Sequence, residues 1–179
     1  MHRLFVALDL PEVVADALSV LQSGVDGARW RTPEQFHLTL AFIGDVDRHG
    51  HDDVGAALDG LSAPGFSLTL SGAGYFGDHR PRALWAGLDA EPALKHLHDK
   101  IVAALRRFDV AVDARKFTPH VTLAYLAGVS QDAAERYCAG HGLFRCGPFP
   151  VRAFNLYESY LGGEASHYEI LESYPLTAA

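Results

Sequence analysis

The chain has 179 residues, of which 49% are hydrophobic, and its formal net charge at pH 7 is -7. This length, without a Pro- or Ser-rich linker, predicts a single domain over residues 1–179. The negative charge argues against a protein that grips long nucleic acid through many phosphates, because that mode of binding needs clustered positive charge. If the protein acts on nucleic acid, we expect it to engage a short stretch, at an end.

The apolar segments predict a soluble, cytoplasmic protein with no membrane association. Residues 1–10 lack the long apolar core and small-residue cleavage site of a secretory signal. No later apolar run approaches the roughly 18 residues that a membrane-spanning helix needs. Cys138 and Cys146 are expected to be free thiols, since a chain of this length can build its own core. Nothing in the sequence indicates an obligate protein partner.

In the first half of the chain, hydrophobic periodicity predicts four strands and two helices. The strands are expected over residues 3–9, 36–43, 66–71 and 82–88. One helix is expected over residues 11–22, and a second carries Val54, Leu58 and Leu61. A Gly-rich loop that contains arginine separates the last two strands.

The second half repeats this alternation of helices and strands. A helix is indicated by apolar residues at helical spacing, namely Leu94, Leu97, Ile101 and Leu105. A strand over residues 117–126, a short helix from Ser130 and closing strands around residues 151–157 and 167–174 follow. The order predicts an α+β fold with two similar halves that form two lobes around a shared cleft.

A short segment occurs twice, once in each half. FHLTLAF at residues 36–42 is echoed by PHVTLAY at residues 119–125, with His, Thr, Leu and Ala in register. Roughly 0.04 matches to His-x-Thr-Leu are expected by chance in a chain of this composition. The duplication is therefore a signal of function, although a single strand histidine is more often a surface or core residue and Thr favours strands in any case.

The repeated motif suits acid–base chemistry on a phosphate diester. Residues two apart on a strand point the same way, so His37 projects with Thr39 and His120 with Thr122. One neutral imidazole can take a proton from water while the opposite imidazolium gives one to the leaving alkoxide, each transfer contributing about 10² to 10⁴ in rate. Imidazole fits because its ordinary pKa is roughly 6.5. The Thr hydroxyls can donate to the non-bridging oxygens.

Other histidines have weaker claims to function. His49 and His51 adjoin two aspartates and could bind a metal, but this polar stretch is typical of a solvated loop or a helix start. His96 and His98 lie two apart on a predicted helix and cannot share a face, so both are predicted to be surface residues. No metal site is predicted.

The chain resembles the 2H phosphoesterase superfamily, and within it the bacterial and archaeal RNA 2′,3′-cyclic phosphodiesterases, also called 2′-5′ RNA ligases. The resemblance is carried by RLFVALDLP at 3–11, RW at 29–30, PEQFHLTLAFIG at 33–44, RPRALWAGL at 80–88, FTPHVTLAYL at 117–126 and LYES at 156–159. It implies a bilobal fold with pseudo-twofold symmetry, an antiparallel sheet and helices in each lobe, and an active-site cleft between the lobes. It also implies hydrolysis of a terminal 2′,3′-cyclic phosphate to a 2′-phosphate, with no metal or other cofactor.

The resemblance assigns roles to the motif residues. His37 would protonate the departing 3′ oxygen, His120 would orient and deprotonate water, and the two Thr residues would hold the phosphate oxygens. The residues alone do not order the histidines, because the halves are nearly symmetric. The chain departs from the family at Tyr125, where the family often has an Arg associated with phosphate binding. Strand alternation points position 125 away from His120, so a residue there would need a bulge or the strand end to reach the cleft.

Further side chains are candidates for substrate binding. Positive charge for the phosphate can come from Arg80 and Arg82 in the central loop, or from Arg115 and Lys116 before the second motif. Aromatic side chains that can stack on a terminal base are Trp30, Phe42, Phe76 and Tyr125. The alternatives are ordinary solvated charges and core packing, respectively.

The leading hypothesis is an enzyme acting on RNA 3′ ends that carry a cyclic phosphate. A second hypothesis keeps the chemistry and changes the substrate to a small nucleotide, such as ADP-ribose 1″,2″-cyclic phosphate or a 2′-5′-linked oligonucleotide, which the acidic net charge favours. A third is an RNA-end binding module of low turnover, as the missing Arg would suggest. RNA ligation is the reverse reaction, but nothing in the sequence supplies its energy.

Overall fold

The computed structural model describes residues 1–162 and 166–178. Its strands are β1 His2–Asp9, β2 Ala28–Trp30, β3 His37–Val46, β4 Phe66–Phe76, β5 Ala83–Leu88, β6 Val121–Leu126, β7 Arg145–Val151, β8 Ala153–Leu161 and β9 Ser166–Pro175. Its helices are α1 Glu12–Ser19, α2 Arg48–Asp59, α3 Pro92–Arg107 and α4 Gln131–Gly140, with a 3₁₀ turn at Pro33–Gln35. The predicted α+β class is confirmed.

The strands form one antiparallel sheet in which two similar halves meet. The strand order is β7-β4-β5-β6-β3-β1-β8-β9, and β2 adds a short second pairing to β6. The central strands β3 and β6 are those of the repeated motif, and they are joined by the single residue pair Leu38 and Val121. Each half of the sheet therefore ends, at the centre of the molecule, on one copy of the motif.

The helices cover the two halves separately. Helices α2 and α3 pack on β1 and β3, whereas α4 packs on β4 and α1 contacts β7. The predicted apolar stripe of α3 is buried, with each of its four residues, Leu94, Leu97, Ile101 and Leu105, at most 2% exposed. Full burial of such a side chain stabilises the fold by about 1.5–3 kcal/mol. This packing holds β3, and with it the first motif, against a layer of helices.

Two strands, β2 and β7, were not predicted from periodicity. β2 is only three residues long, and β7 has the sequence RCGPFPV, whose two prolines and glycine disfavour strands. β7 lies at one end of the sheet, where proline is tolerated because one side of the strand needs no partner. The predicted loop after residue 71 is also partly wrong, since β4 continues to Phe76.

Some remaining sequence features take ordinary structural roles. Of the two interpretations of the stretch around His49, a solvated loop or a helix start, the structure shows the helix start, where Asp47 caps α2 by accepting a hydrogen bond from the Gly50 N–H at 2.8 Å. Cys138 and Cys146 are both free, as expected. Within the described residues, no helix is long and apolar enough to cross a bilayer.

Candidate active site

The two motifs line one cleft of about 820 Å³ at the junction of β3 and β6. All four motif side chains border it, namely His37, Thr39, His120 and Thr122. The structure thus brings together residues that are more than 80 positions apart in the chain. Two imidazoles and two hydroxyls face a single cavity, as the duplication predicted.

A β-bulge in the first motif strand changes which side chains reach the cleft. On β1, Ala7 pairs with Thr39 and Val6 pairs with Ala41, so Leu40 is the extra residue. Leu40 is 2% exposed. A bulge shifts the alternation of the strand by one residue, so Phe42 turns to the same cavity as Thr39. Simple strand alternation would place Phe42 on the face opposite His37, and the bulge is the reason that it does not.

The second motif strand carries the same bulge at the equivalent residue. On β5, Trp85 pairs with Thr122 and Leu84 pairs with Ala124, so Leu123 is the extra residue. Tyr125 consequently borders the cleft. Regular strand alternation predicted that the side chain at position 125 points away from the site. The bulge reverses the alternation after Leu123, so Tyr125 faces the cleft instead.

Both catalytic candidates are oriented by the backbone. Nδ1 of His37 lies 2.8 Å from the carbonyl oxygen of Gln35. Nδ1 of His120 lies 2.6 Å from the carbonyl oxygen of Thr118. A carbonyl can only accept, so Nδ1 carries the proton in each neutral ring and Nε2 is left with its lone pair. Each ring can therefore act as a base through Nε2, or as an acid once Nε2 is protonated.

Aromatic rings enclose His37. Its imidazole lies edge-on to Tyr168, with ring centroids 5.1 Å apart at 87°, and 4.9 Å from the ring of Phe5. Burial lowers the pKa of His37 to about 4, and the positive charge of Arg31 and the neighbouring His120 act in the same direction. In the unliganded protein, His37 is therefore neutral at pH 7.

His120 has a comparable but more open setting. Its ring lies edge-on to Phe76, with centroids 4.8 Å apart at 82°. Burial also lowers the pKa of His120, and the charge of Arg115 adds to the effect. A bound phosphate would oppose both shifts, because a nearby anion favours the imidazolium.

The other predicted substrate contacts divide into two groups. Six of them border the cleft, namely Phe42, Phe76, Arg82, Arg115, Lys116 and Tyr125. Arg80 does not; it is an exposed residue of the turn after β4, where its N–H donates to the carbonyl of Gly77 at 2.7 Å. Trp30 packs instead against Tyr137, with centroids 5.9 Å apart, so core packing is its role.

One cleft residue, His98, was expected at the surface. It borders the cavity, its ring stacks on Phe117 with centroids 3.9 Å apart, and its Nδ1 lies 2.7 Å from the carbonyl of Leu40. Helix α3 packs on β3, and this packing turns His98 inward while His96 stays exposed. The prediction was right for His96 and wrong for His98.

A second cleft residue, Arg31, was not predicted at all. It is 9% exposed and borders the cavity beside His37. It lies just after β2, which periodicity did not reveal, so its neighbours were not apparent in the sequence. The available signal was an arginine next to the RW pair that carries part of the family resemblance.

Neither a metal cluster nor a metal-binding loop is apparent in the described part of the chain. No three His, Cys, Asp or Glu side chains come together there in a way that suits a metal ion. Of the two histidines considered for such a site, His49 lies 3.6 Å from Asp53 one turn along α2, as an ordinary surface pair does.

Comparisons with known proteins agree on one family. A sequence profile of the 2′-5′ RNA ligase superfamily matches residues 10–162. A Thermus thermophilus protein named RNA 2′,3′-cyclic phosphodiesterase is 33% identical, and the match covers 97% of this chain and 90% of that protein. A Geobacillus stearothermophilus protein of the same name is 34% identical over 67% of this chain. The chain spans only 40% of that longer relative.

The fold is similar to that of solved structures along its whole length. The crystal structure of Escherichia coli LigT complexed with 3′-AMP has a TM-score of 0.80 and 27% sequence identity, with 98% of both chains covered. That protein holds a nucleoside monophosphate in a similar fold.

Proposed function

The chain belongs to the 2′-5′ RNA ligase superfamily, and from this we infer that it is a metal-independent RNA 2′,3′-cyclic phosphodiesterase, which hydrolyses a terminal 2′,3′-cyclic phosphate to a 2′-phosphate. The observation that carries this inference is the meeting of both His-x-Thr motifs in one cleft. The substrate is an RNA 3′ end, bound locally. Residues 1–179 act as one domain, because each half supplies one of the two histidines.

The proposed reaction is an in-line displacement at phosphorus. Water attacks, the bond from phosphorus to the 3′ oxygen breaks, and the bond to the 2′ oxygen stays. By likeness to the family, His120 takes the proton from water and His37 gives a proton to the departing 3′ oxygen. Thr39 and Thr122 donate hydrogen bonds to the non-bridging oxygens, where negative charge is held during the reaction.

The protonation of His37 is the demanding part of this scheme. Burial disfavours the imidazolium, so the acid form is scarce in the unliganded protein. The cyclic phosphate itself is anionic, and its arrival next to the ring favours the protonated form. Substrate binding therefore prepares the general acid, and the same linkage means that the protonated enzyme binds substrate more tightly.

Aromatic side chains are available for the terminal base. Phe42, Phe76 and Tyr125 border the cleft, and a base can stack on any of their exposed faces. One face of Phe42 is taken by the Arg3 guanidinium, 5.1 Å from the ring centroid. A positive charge at this end of the cleft thus lies beside an aromatic ring on whose other face a base can stack.

A second candidate function keeps the reaction and changes the substrate. A cavity of about 820 Å³ is within the range of sites that hold a whole small molecule. A small nucleotide with a cyclic phosphate, or a 2′-5′-linked dinucleotide, would fit the same arrangement of groups.

The cytoplasmic location of the protein stays a prediction.

The test is turnover of a short RNA that ends in a 2′,3′-cyclic phosphate, in excess EDTA. We expect a 2′-phosphate product, and a loss of about 10² to 10⁴ in rate for His37→Ala and for His120→Ala. His96→Ala, an exposed histidine away from the cleft, is the matched control and should match the wild type. Turnover of only a cyclic mononucleotide would favour the second candidate, and binding without any product would indicate a binding module.

A further inference from the structure

The backbone holds Arg31 opposite the second motif strand. Its N–H donates to the carbonyl of Leu123, the bulge residue, at 2.8 Å. Its own carbonyl accepts a hydrogen bond from the Gln22 side-chain amide at 2.6 Å. The residue is thus fixed on both sides, and its side chain enters the cleft from β2 rather than from the motif strands.

Arg31 is a buried cation that has no carboxylate partner among residues 1–162 and 166–178. It is 9% exposed, and within the described residues no acidic oxygen lies within 4.0 Å of its nitrogens. Its side-chain hydrogen bond goes from Nη2 to the neutral hydroxyl of Tyr168, at 2.7 Å. A guanidinium has five donors, and a buried charge is costly unless it is paired. The guanidinium therefore keeps both donors and charge for an anionic ligand.

Two other cleft arginines are paired with carboxylates, and a third, Arg82, is exposed. Arg115 is held by Asp113, with Nε 2.7 Å from the carboxylate, and Arg3 lies 3.2 Å from Asp45. Both are also far more exposed than Arg31. Arg31 therefore combines burial, a position in the cleft and, in the part of the chain that the structure describes, a charge without an acidic partner.

The guanidinium of Arg31 lies against residue 125. Its carbon is 5.3 Å from the ring centroid of Tyr125 and 5.5 Å from that of Tyr168, so the cation is held between two aromatic rings. Position 125 is where the family often carries a phosphate-binding arginine. Here a tyrosine at that position supports a guanidinium that arrives from the neighbouring strand.

We propose that Arg31 binds the substrate phosphate in this protein, so that the positive charge has moved from position 125 on β6 to position 31 beside β2. The identification of the anion as a substrate phosphate rests on the proposed function. Tyr168 contacts both Arg31 and His37, since its hydroxyl accepts a hydrogen bond from Arg31 and its ring lies edge-on to His37. A phosphate bound by Arg31 thus lies next to the histidine assigned as the general acid.

The first test is an exchange of the two side chains. Arg31→Val should lower kcat/KM on the cyclic phosphate about 10- to 100-fold, the range for loss of a charge-assisted hydrogen bond. Adding Tyr125→Arg to Arg31→Val should raise kcat/KM at least tenfold above that of Arg31→Val, because the second substitution returns the positive charge to the phosphate site. The control is Arg29→Met, which replaces an exposed arginine on β2 and should change neither kcat nor KM by more than about twofold.

The second test measures anion binding without turnover. Inorganic phosphate should raise the melting temperature of the wild type and of Arg29→Met, and much less that of Arg31→Met. Without phosphate, Arg31→Met should melt at or above the wild-type temperature, because an unpaired buried charge has been removed.

Three results would overturn the proposal. The first is wild-type kcat/KM in Arg31→Val, and the second is no recovery in the double variant. The third is a lowered melting temperature in Arg31→Met with an unchanged response to phosphate, which would make Arg31 a structural residue. A wild type that binds phosphate through Arg31 but never hydrolyses the cyclic ester would instead refute the proposed function and leave this inference standing.

Discussion

Nδ1 of His37 donates to the main-chain carbonyl of Gln35, 2.8 Å away. His120 makes the same bond to the residue two positions before it, at 2.6 Å. Backbone partners do not titrate, so substrate and pH leave this orientation unchanged. Both rings therefore present Nε2 for chemistry, and their protonation depends on burial and on the ligand.

The pH dependence of the reaction should reflect these environments. The scheme needs one imidazolium and one neutral imidazole, and burial holds the pKa of His37 to about 4 and that of His120 below its ordinary value. kcat/KM, which reports the free enzyme, should therefore have its optimum below about pH 6.5. The optimum of kcat should lie at higher pH, because the bound phosphate raises both pKa values. Initial rates on a 2′,3′-cyclic nucleotide from about pH 4 to about pH 9 measure both, and a kcat/KM that still rises above about pH 7 would contradict the assignment.

The same burial makes His37 a source of acid sensitivity. Its pKa is lower in the folded protein, about 4, than in the unfolded chain, 6.5, so its neutral form stabilises the fold fully above pH 6.5. That contribution falls as the pH drops from 6.5 towards 4. The loss has an upper limit of about 3 kcal/mol, and solvent screening makes it smaller because the ring is only partly buried. His37→Asn should flatten the pH dependence of the unfolding free energy in this window, measured by urea denaturation. The exposed control His96→Asn should not, and equal slopes for both variants would refute the effect.

Gly74 allows Trp85 to pack beneath the second histidine. A Cβ at Gly74 would lie 2.2 Å from the Trp85 ring, whose centroid is 6.3 Å from that of His120. Gly74→Ala must displace the indole, so we expect a loss of about 1–3 kcal/mol in unfolding free energy together with reduced turnover. Gly55→Ala in α2, where a Cβ meets nothing within 4 Å, should instead stabilise the protein by up to about 1 kcal/mol. Urea denaturation and near-UV circular dichroism test both, and an unperturbed Gly74→Ala would argue against this packing.

Tyr168 should matter through its hydroxyl. Tyr168→Phe keeps the ring edge-on to His37 and removes the acceptor that orients Arg31. A hydrogen bond to a charged group contributes about 1.5–3 kcal/mol, so we expect kcat/KM to fall by about tenfold or more, mainly through KM. Tyr160→Phe, whose hydroxyl bonds to Glu158, is the matched control. Equal kinetics for the two variants would show that Arg31 does not depend on Tyr168.

Much of this molecule followed from local patterns in the sequence. Strands, including the two that carry the motif, are visible as apolar residues with a period of two, and the apolar stripe of α3 has a period of about 3.6 residues. Their order along the chain indicates the α+β class. The duplication at His37 and His120 needed no knowledge of contacts, because identical spacing in two strands already implies a common use. The substrate roles of these residues remain predictions.

Tertiary structure decided which other side chains share the cleft. The bulges at Leu40 and Leu123 depend on pairing with neighbouring strands, and a shift of one residue reverses the face of everything after it. Arg31 acquires its surroundings from Tyr168, 137 positions away, and from a three-residue strand too short to give a pattern. Local patterns in the chain were enough to identify the family, the fold class and the paired motifs. Only packing between distant segments decided where the positive charge lies, because contacts of that range leave no periodic trace.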